Sequence, residues 1–158
     1  MSKITAAITA IGGYVPDFVL TNQILETLVD TNDEWITTRT GIKERRILKE
    51  DGKGTSYLAI KAAQNLIDKS GLDPKEIDLV IVATATPDMK AASTAAYTAT
   101  EIGATNAFSF DLESACSSFL YGMSVASSYI ETGRYKKVLL IGADKNSSMI
   151  NYKDRATC

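Results

Sequence analysis

Hydrophobic positions along this chain change period several times, and each change marks an element. Ile4 to Ile11 (ITAAITAI) mixes β-branched and small residues and stops at Gly12-Gly13, which predicts a strand. After Pro16, Thr21-Asn22 has the form of a helix N-cap ahead of QILETLV. Asn32 followed by Asp33 and Glu34 is a second cap with an acidic first turn, predicting a short helix to about Arg39 that Gly41 closes. Lys43 to Lys49 (KERRILK) is a basic patch, and Asp51-Gly52-Lys53-Gly54 is a loop. From Thr55 the period becomes helical, with Leu58, Ile60, Ala62, Ala63, Leu66 and Ile67 mostly on one face, up to Gly71.

The second half of the chain alternates more sharply. Leu79 to Ala85 (LVIVATA) is a short β-branched run that reads as a strand buried on both faces. A helix follows from about Ser93 to Ile102, then a strand over Ala107 to Leu112. Cys116 heads the next helix, which runs to about Glu131, and Lys137 to Gly142 is a further strand. The Cys116 helix is apolar around most of its circumference, through Phe119, Leu120, Tyr121, Met123, Val125 and Ile130, so it belongs inside a layered protein. Strands alternating with helices predict an α/β class with a mostly parallel sheet covered on both faces.

Composition narrows the function classes. The chain has 158 residues, 45% hydrophobic and 23% charged, which excludes a disordered or collagen-like polymer. Seventeen basic against nineteen acidic side chains leave a net charge of −2, so nothing draws it in bulk to nucleic acid. No apolar run approaches the ~18–20 residues of a membrane span, and Met1 to Thr5 carries no signal-peptide core. The expectation is a soluble cytoplasmic protein. Histidine is absent, so chemistry needing an imidazole base or a His metal ligand is incomplete within this chain. Cys116 and Cys158 are far apart and form no CxxC pair, which argues against structural zinc and against a disulfide-stapled fold.

Cys116 is the most informative residue. It follows a strand and starts a buried helix, where free N–H groups and the helix dipole favour a thiolate. Ser114, Ala115, Ser117 and Ser118 are small and leave room for an acyl group. The residues alone leave two readings open: a nucleophile on a strand-to-helix elbow, or a buried structural cysteine.

The segment from Asp111 to Gly122 (DLESACSSFLYG) resembles the active-site segment of the β-ketoacyl-acyl carrier protein synthase III family. Asp30 to Ile42 (DTNDEWITTRTGI) resembles that family's N-terminal signature, and Lys43 to Ile47, Ala83 to Asp88 and Asp154-Arg155 match as well. The resemblance implies a thiolase-like fold in which 1–158 is one α/β half of a five-layered αβαβα architecture. It implies an enzyme that initiates type II fatty-acid synthesis. An acyl group, commonly acetyl, passes from coenzyme A to Cys116 and then condenses with malonyl-acyl carrier protein, with loss of carbon dioxide. Coenzyme A is then a substrate, and no cofactor or metal is implied. Trp35 would stack on the adenine with Arg155 on its other face, Thr31 would bind the base, and Arg39 would reach a phosphate. Taken without the resemblance, Trp35 reads as a core or capping aromatic and Arg39 as a solvated helix end. The basic residues Lys43, Arg45, Arg46 and Lys49 read either as a docking patch for the acidic carrier protein or as a solvated face.

The chain also departs from the family. A catalytic histidine and asparagine belong to the family's C-terminal half, and this sequence stops at Cys158 before the glycine-rich segment that would follow. The expectation is therefore an N-terminal half of a homodimeric enzyme, with the apolar face of the Cys116 helix left uncovered. Met89-Lys90-Ala91-Ala92-Ser93 stands where the family has Phe-Pro, and Asn146 where it has leucine or methionine, so acyl-chain preference is open. Other readings are a polyketide or alkylquinolone starter enzyme, or a non-catalytic half that binds coenzyme A or a partner chain. A dinucleotide-binding oxidoreductase is disfavoured, because Gly12-Gly13 lacks the G-x-G-x-x-G spacing.

Overall fold

A computed structural model describes residues 4–157; Met1 to Lys3 and Cys158 lie outside it, so the reading of Cys158 as unpaired concerns a residue outside those described. The chain divides into two compact units, residues 4–14 with 54–144, and residues 15–53 with 145–157.

The first unit is built on a parallel sheet of β3 (Leu79–Ala83), β4 (Phe108–Leu112) and β5 (Val138–Gly142), with β3 in the centre. Leu79 lies opposite both Phe108 and Val138, and the registers run in parallel from there. All five residues of β3 are buried, as its unbroken β-branched run requires of a strand packed on both faces. Val80 and Val82 pack with Ala59, Ala63 and Ile67 of α3 (Thr55–Ser70) and with Ala95 and Ala99 of α4 (Thr94–Glu101). Gly71 and Ser93 close and open these helices, at a left-handed C-cap and a side-chain N-cap. On the other face α5 (Ser118–Glu131) approaches β5 through Gly122, where a Cβ would stand 2.5 Å from Leu140 Cδ1.

The second unit holds an antiparallel pair, β1 (Phe18–Thr21) and β2 (Glu44–Ile47), with α1 (Asn22–Glu26) and α2 (Asp33–Thr40). Leu20, Leu25 and Ile36 form its small core, flanked by Trp35, Phe18, Ile47 and Tyr152. Thr21 and Asn32 cap α1 and α2 with their side chains, and Gly41 ends α2 at φ 73°.

Three expectations change. Ile4 to Ile11 is not a strand: no ladder among the described residues includes it, and Ile8 and Ile11 are 72% and 78% exposed. The chain just after it runs along α3 instead, with the Gly13 amide donating to Asn65 Oδ1 at 3.2 Å and Tyr14 edge-on to Tyr57. An alternating apolar run makes a strand only where a neighbouring backbone takes its hydrogen bonds. The helix expected over QILETLV stops at Glu26. The basic patch is largely a strand, with Arg45 and Ile47 turned inward and Glu44 and Arg46 outward.

Candidate active site

Cys116 does not open the long helix. It lies in a single 3-10 turn, Ala115–Ser117, and α5 begins at Ser118. β4 delivers this turn at the carboxyl edge of the parallel sheet, where open α/β sheets place their ligands. Ala115 holds φ 45° and is the one non-glycine among the described residues with positive φ. Such a backbone is strained for an L-residue with a Cβ. Ser118, buried, takes the Ser114 amide on its Oγ at 2.6 Å, and the Ser117 amide donates to Ser114 O at 3.0 Å. These bonds pin the turn on both sides of Cys116, whose side chain is exposed. No side chain caps α5, which leaves its first-turn amides beside the thiol.

Two carboxylates brace the loops along the same sheet edge. Asp111 accepts from Ser93 Oγ and from the Thr94 and Ala95 amides at 2.7–3.0 Å, capping α4 from the end of β4. Asp144 accepts from Thr84 Oγ1, the Ala85 amide and Thr86 Oγ1 at 2.8–3.0 Å, joining the exits of β5 and β3. Asp111 lies within β4, five residues before Cys116, and Asp144 follows β5, where an aspartate in sequence looks like any turn residue.

The remaining candidates lie in the second unit. Asn32 Oδ1 accepts the Trp35 amide at 2.8 Å, which fixes the first turn of α2. The Arg39 guanidinium stands 4.5 Å from the Trp35 ring centroid and the Arg155 guanidinium 5.1 Å. One indole therefore gathers two residues 116 positions apart, Arg39 and Arg155. Thr31 immediately precedes the cap, and its Oγ1 is buried with no partner among the described residues. Leu28, Val29, Asp30, Lys153, Asp154 and Arg155 line a cleft of about 570 Å³. Arg155 is common to this cleft and to the Trp35 ring, while Trp35, Arg39 and Thr31 lie outside the cleft lining.

The basic residues of 43–49 are mostly engaged locally. Lys43 pairs with Asp33 at 3.1 Å, and Arg45 donates to Asn22 Oδ1 at 2.5 Å. Arg46 reaches Pro16 O at 3.3 Å, and Lys49 stands 3.4 Å over the Phe18 ring. Each side chain has an internal contact, so the run gains little support as a docking patch. The hydrogen bond from the Asn22 amide, then Lys43, holds the Asp33 carboxyl below its ordinary value.

Among the described residues no group of His, Cys, Asp and Glu side chains converges to hold a metal, and no helix is long and apolar enough to cross a membrane. Residues 110–158 match the family described as 3-oxoacyl-[acyl-carrier-protein (ACP)] synthase III. Over all 158 residues the chain is 58% identical to the β-ketoacyl-[acyl-carrier-protein] synthase III 2 of Bacteroides thetaiotaomicron, covering 47% of that protein. It is 59% identical to the synthase III of Phocaeicola vulgatus, again over 47% of its length. The chain thus spans about half the length of the curated relatives it matches. Among solved structures it superposes on the 3-oxoacyl-[acyl-carrier-protein] synthase III of Aquifex aeolicus with a TM-score of 0.89 and 48% identity, covering 94% of this chain and 48% of that one. The priming β-ketosynthase of the R1128 polyketide pathway is similar at TM-score 0.88 and 35% identity, over 92% of this chain and 43% of that one.

Proposed function

We infer that this chain, which belongs to the β-ketoacyl-acyl carrier protein synthase III family and spans its N-terminal half, carries the acyl-loading machinery of an initiating condensing enzyme. The Cys116 thiolate attacks the carbonyl carbon of an acyl-coenzyme A, commonly acetyl. The carbon–sulfur bond to coenzyme A breaks, the coenzyme leaves as a thiolate that takes a proton from solvent, and the acyl group stays on Sγ as a thioester. One thioester replaces another, so the rate depends on placement and on donors at the developing oxyanion. The Cys116 amide and the uncapped first turn of α5 are the donors this chain offers. The adenine stacks on Trp35 once the Arg155 guanidinium, now 5.1 Å from the ring centroid, swings out to cover its far face; Thr31 lies at its edge, and Arg39 takes a phosphate.

Condensation with malonyl-acyl carrier protein needs the family's histidine and asparagine, and these 158 residues contain no histidine. A second half supplies them, in a homodimeric cytoplasmic protein of fatty-acid synthesis. The observation that carries this reading is the pair of guanidinium groups over Trp35, brought from opposite ends of the chain. The similarity to the R1128 priming ketosynthase supports a second reading, a polyketide starter enzyme with the same loading step.

Calorimetry with coenzyme A tests the site. Trp35→Ala weakens binding by about 1 kcal/mol or more, the scale of a cation–aromatic stack. Unchanged affinity removes the adenine role. Supplied with malonyl-acyl carrier protein, this chain alone yields no β-ketoacyl product; detection of that product overturns the division of labour.

A further inference from the structure

Apolar packing anchors α2 weakly. Of its eight residues only Ile36 is buried, yet this helix presents both Trp35 and Arg39. A helix held by one buried side chain can roll about its axis, and a roll would carry the indole and the guanidinium out of register with any ligand.

A polar side chain supplies the missing anchor. Asn22, the first residue of α1, is fully buried at 0% exposure. Its Nδ2 donates to Asp33 Oδ1 at 2.7 Å and to Ile42 O at 2.8 Å, and its Oδ1 accepts from Arg45 Nη1 at 2.5 Å. Asp33 is the first residue of α2, and Ile42 follows the Gly41 that ends it. One carboxamide therefore grips both ends of the helix and ties them to β2. Asp33 is braced further, by Lys43 Nζ on Oδ2 at 3.1 Å and by its own amide donating to Glu26 Oε1 at 2.8 Å. A buried carboxamide is tolerated only when paired, and a paired one in a low dielectric is rigid. This network is also what lowers the Asp33 carboxyl.

We propose that Asn22 is a positioning residue for the nucleotide end of coenzyme A. By clamping both ends of α2 it holds Trp35 and Arg39 in stacking geometry before the ligand arrives, so binding loses less freedom. Asn22 itself touches no ligand. The proposal rests on the coenzyme A reading given above.

Trp35 is the only tryptophan in the sequence, so its emission reports on α2 alone. The test compares this chain with Asn22→Ala and Asp33→Asn. The second variant keeps the shape of a half-exposed side chain and remains usable if the first does not fold. Trp35 emission, its quenching by acrylamide, the coenzyme A dissociation constant and the alkylation rate of Cys116 are measured. Both variants shift the emission, increase quencher access and weaken coenzyme A by about tenfold, as for the loss of one hydrogen bond. Alkylation of Cys116, in the other unit, stays at the wild-type rate. Folded variants with wild-type emission, quenching and affinity overturn the proposal. So does a loss of affinity matched by altered Cys116 alkylation, which marks general damage. If the wild-type chain does not bind coenzyme A, the functional reading fails, and the Trp35 spectra alone decide the positioning role: shifted supports it, unshifted overturns it.

Discussion

At φ 45°, Ala115 occupies a conformation that costs an L-residue about 1–2 kcal/mol. The Ser114–Ser118 bond and the 3-10 turn hold it there, and the adjoining Cys116 is exposed just ahead of α5. Ala115→Gly removes the strained Cβ, keeps the turn and preserves acyl loading, with stability within about 1 kcal/mol of wild type because glycine also loosens the unfolded chain. Ala115→Val, β-branched at a positive φ, destabilises by about 1–3 kcal/mol and slows loading. Thermal melts with timed acylation check both; equal loading by the valine variant would show that the turn does not place the nucleophile. Cys116 stands out in the sequence because its neighbours carry a specific pattern, and its exposure on the turn is what the structure adds. The strain at Ala115 does not stand out, since alanine gives no sign of a left-handed backbone.

Among elements, α3, α4 and α5 and the three parallel strands follow the sequence reading to within a few residues. The apolar periods of α3 and α4 face a core shared with β3 and β5, so pattern and packing agree there, whereas the apolar side chains of α5 stay largely exposed. The hairpin was hidden because β2 reads Glu-Arg-Arg-Ile, and its inward Arg45 is held by a buried asparagine instead of apolar neighbours. Ile4 to Ile11 erred the other way, with strand-like residues but no paired ladder. Trp35 and Arg39 lie in the segment that resembles the family signature and Arg155 in the matching Asp154-Arg155 pair; their meeting on one ring is tertiary and only the structure displays it. At the start of β5, the Lys136 and Lys137 amides donate to Asp78 Oδ2 at 2.8 and 2.9 Å. The Lys137 amide, then that of Lys136, draws the Asp78 carboxyl below its ordinary 3.8. A depressed folded value stabilises above pH 3.8 and loses that contribution as pH falls through it. Asp78→Asn should therefore melt lower than wild type near neutrality, with the gap closing in acid. A gap constant with pH would refute the linkage.

For the molecule as a whole, α5 sets the behaviour of the isolated chain. Phe119, Leu120 and Tyr121 are 45%, 65% and 55% exposed. Exposed apolar side chains of this size promote association. The 158-residue chain should self-associate in light scattering and bind an apolar dye, and Leu120→Lys should reduce both without lowering the melting temperature. A monodisperse wild-type chain that ignores the dye would contradict this. The curated relatives are about twice as long, and on the reading proposed above their second half covers this face and supplies the condensing residues.

Acyl transfer from coenzyme A to Cys116 is the step on which the proposed function stands. Intact mass under denaturing conditions, before and after acetyl-coenzyme A, tests it on the wild type and on Cys116→Ala. One acetyl group should be added to the wild type, mapped to the Cys116 peptide, and none to the variant. A variant that loads like the wild type, or a wild-type chain that never loads, would contradict it.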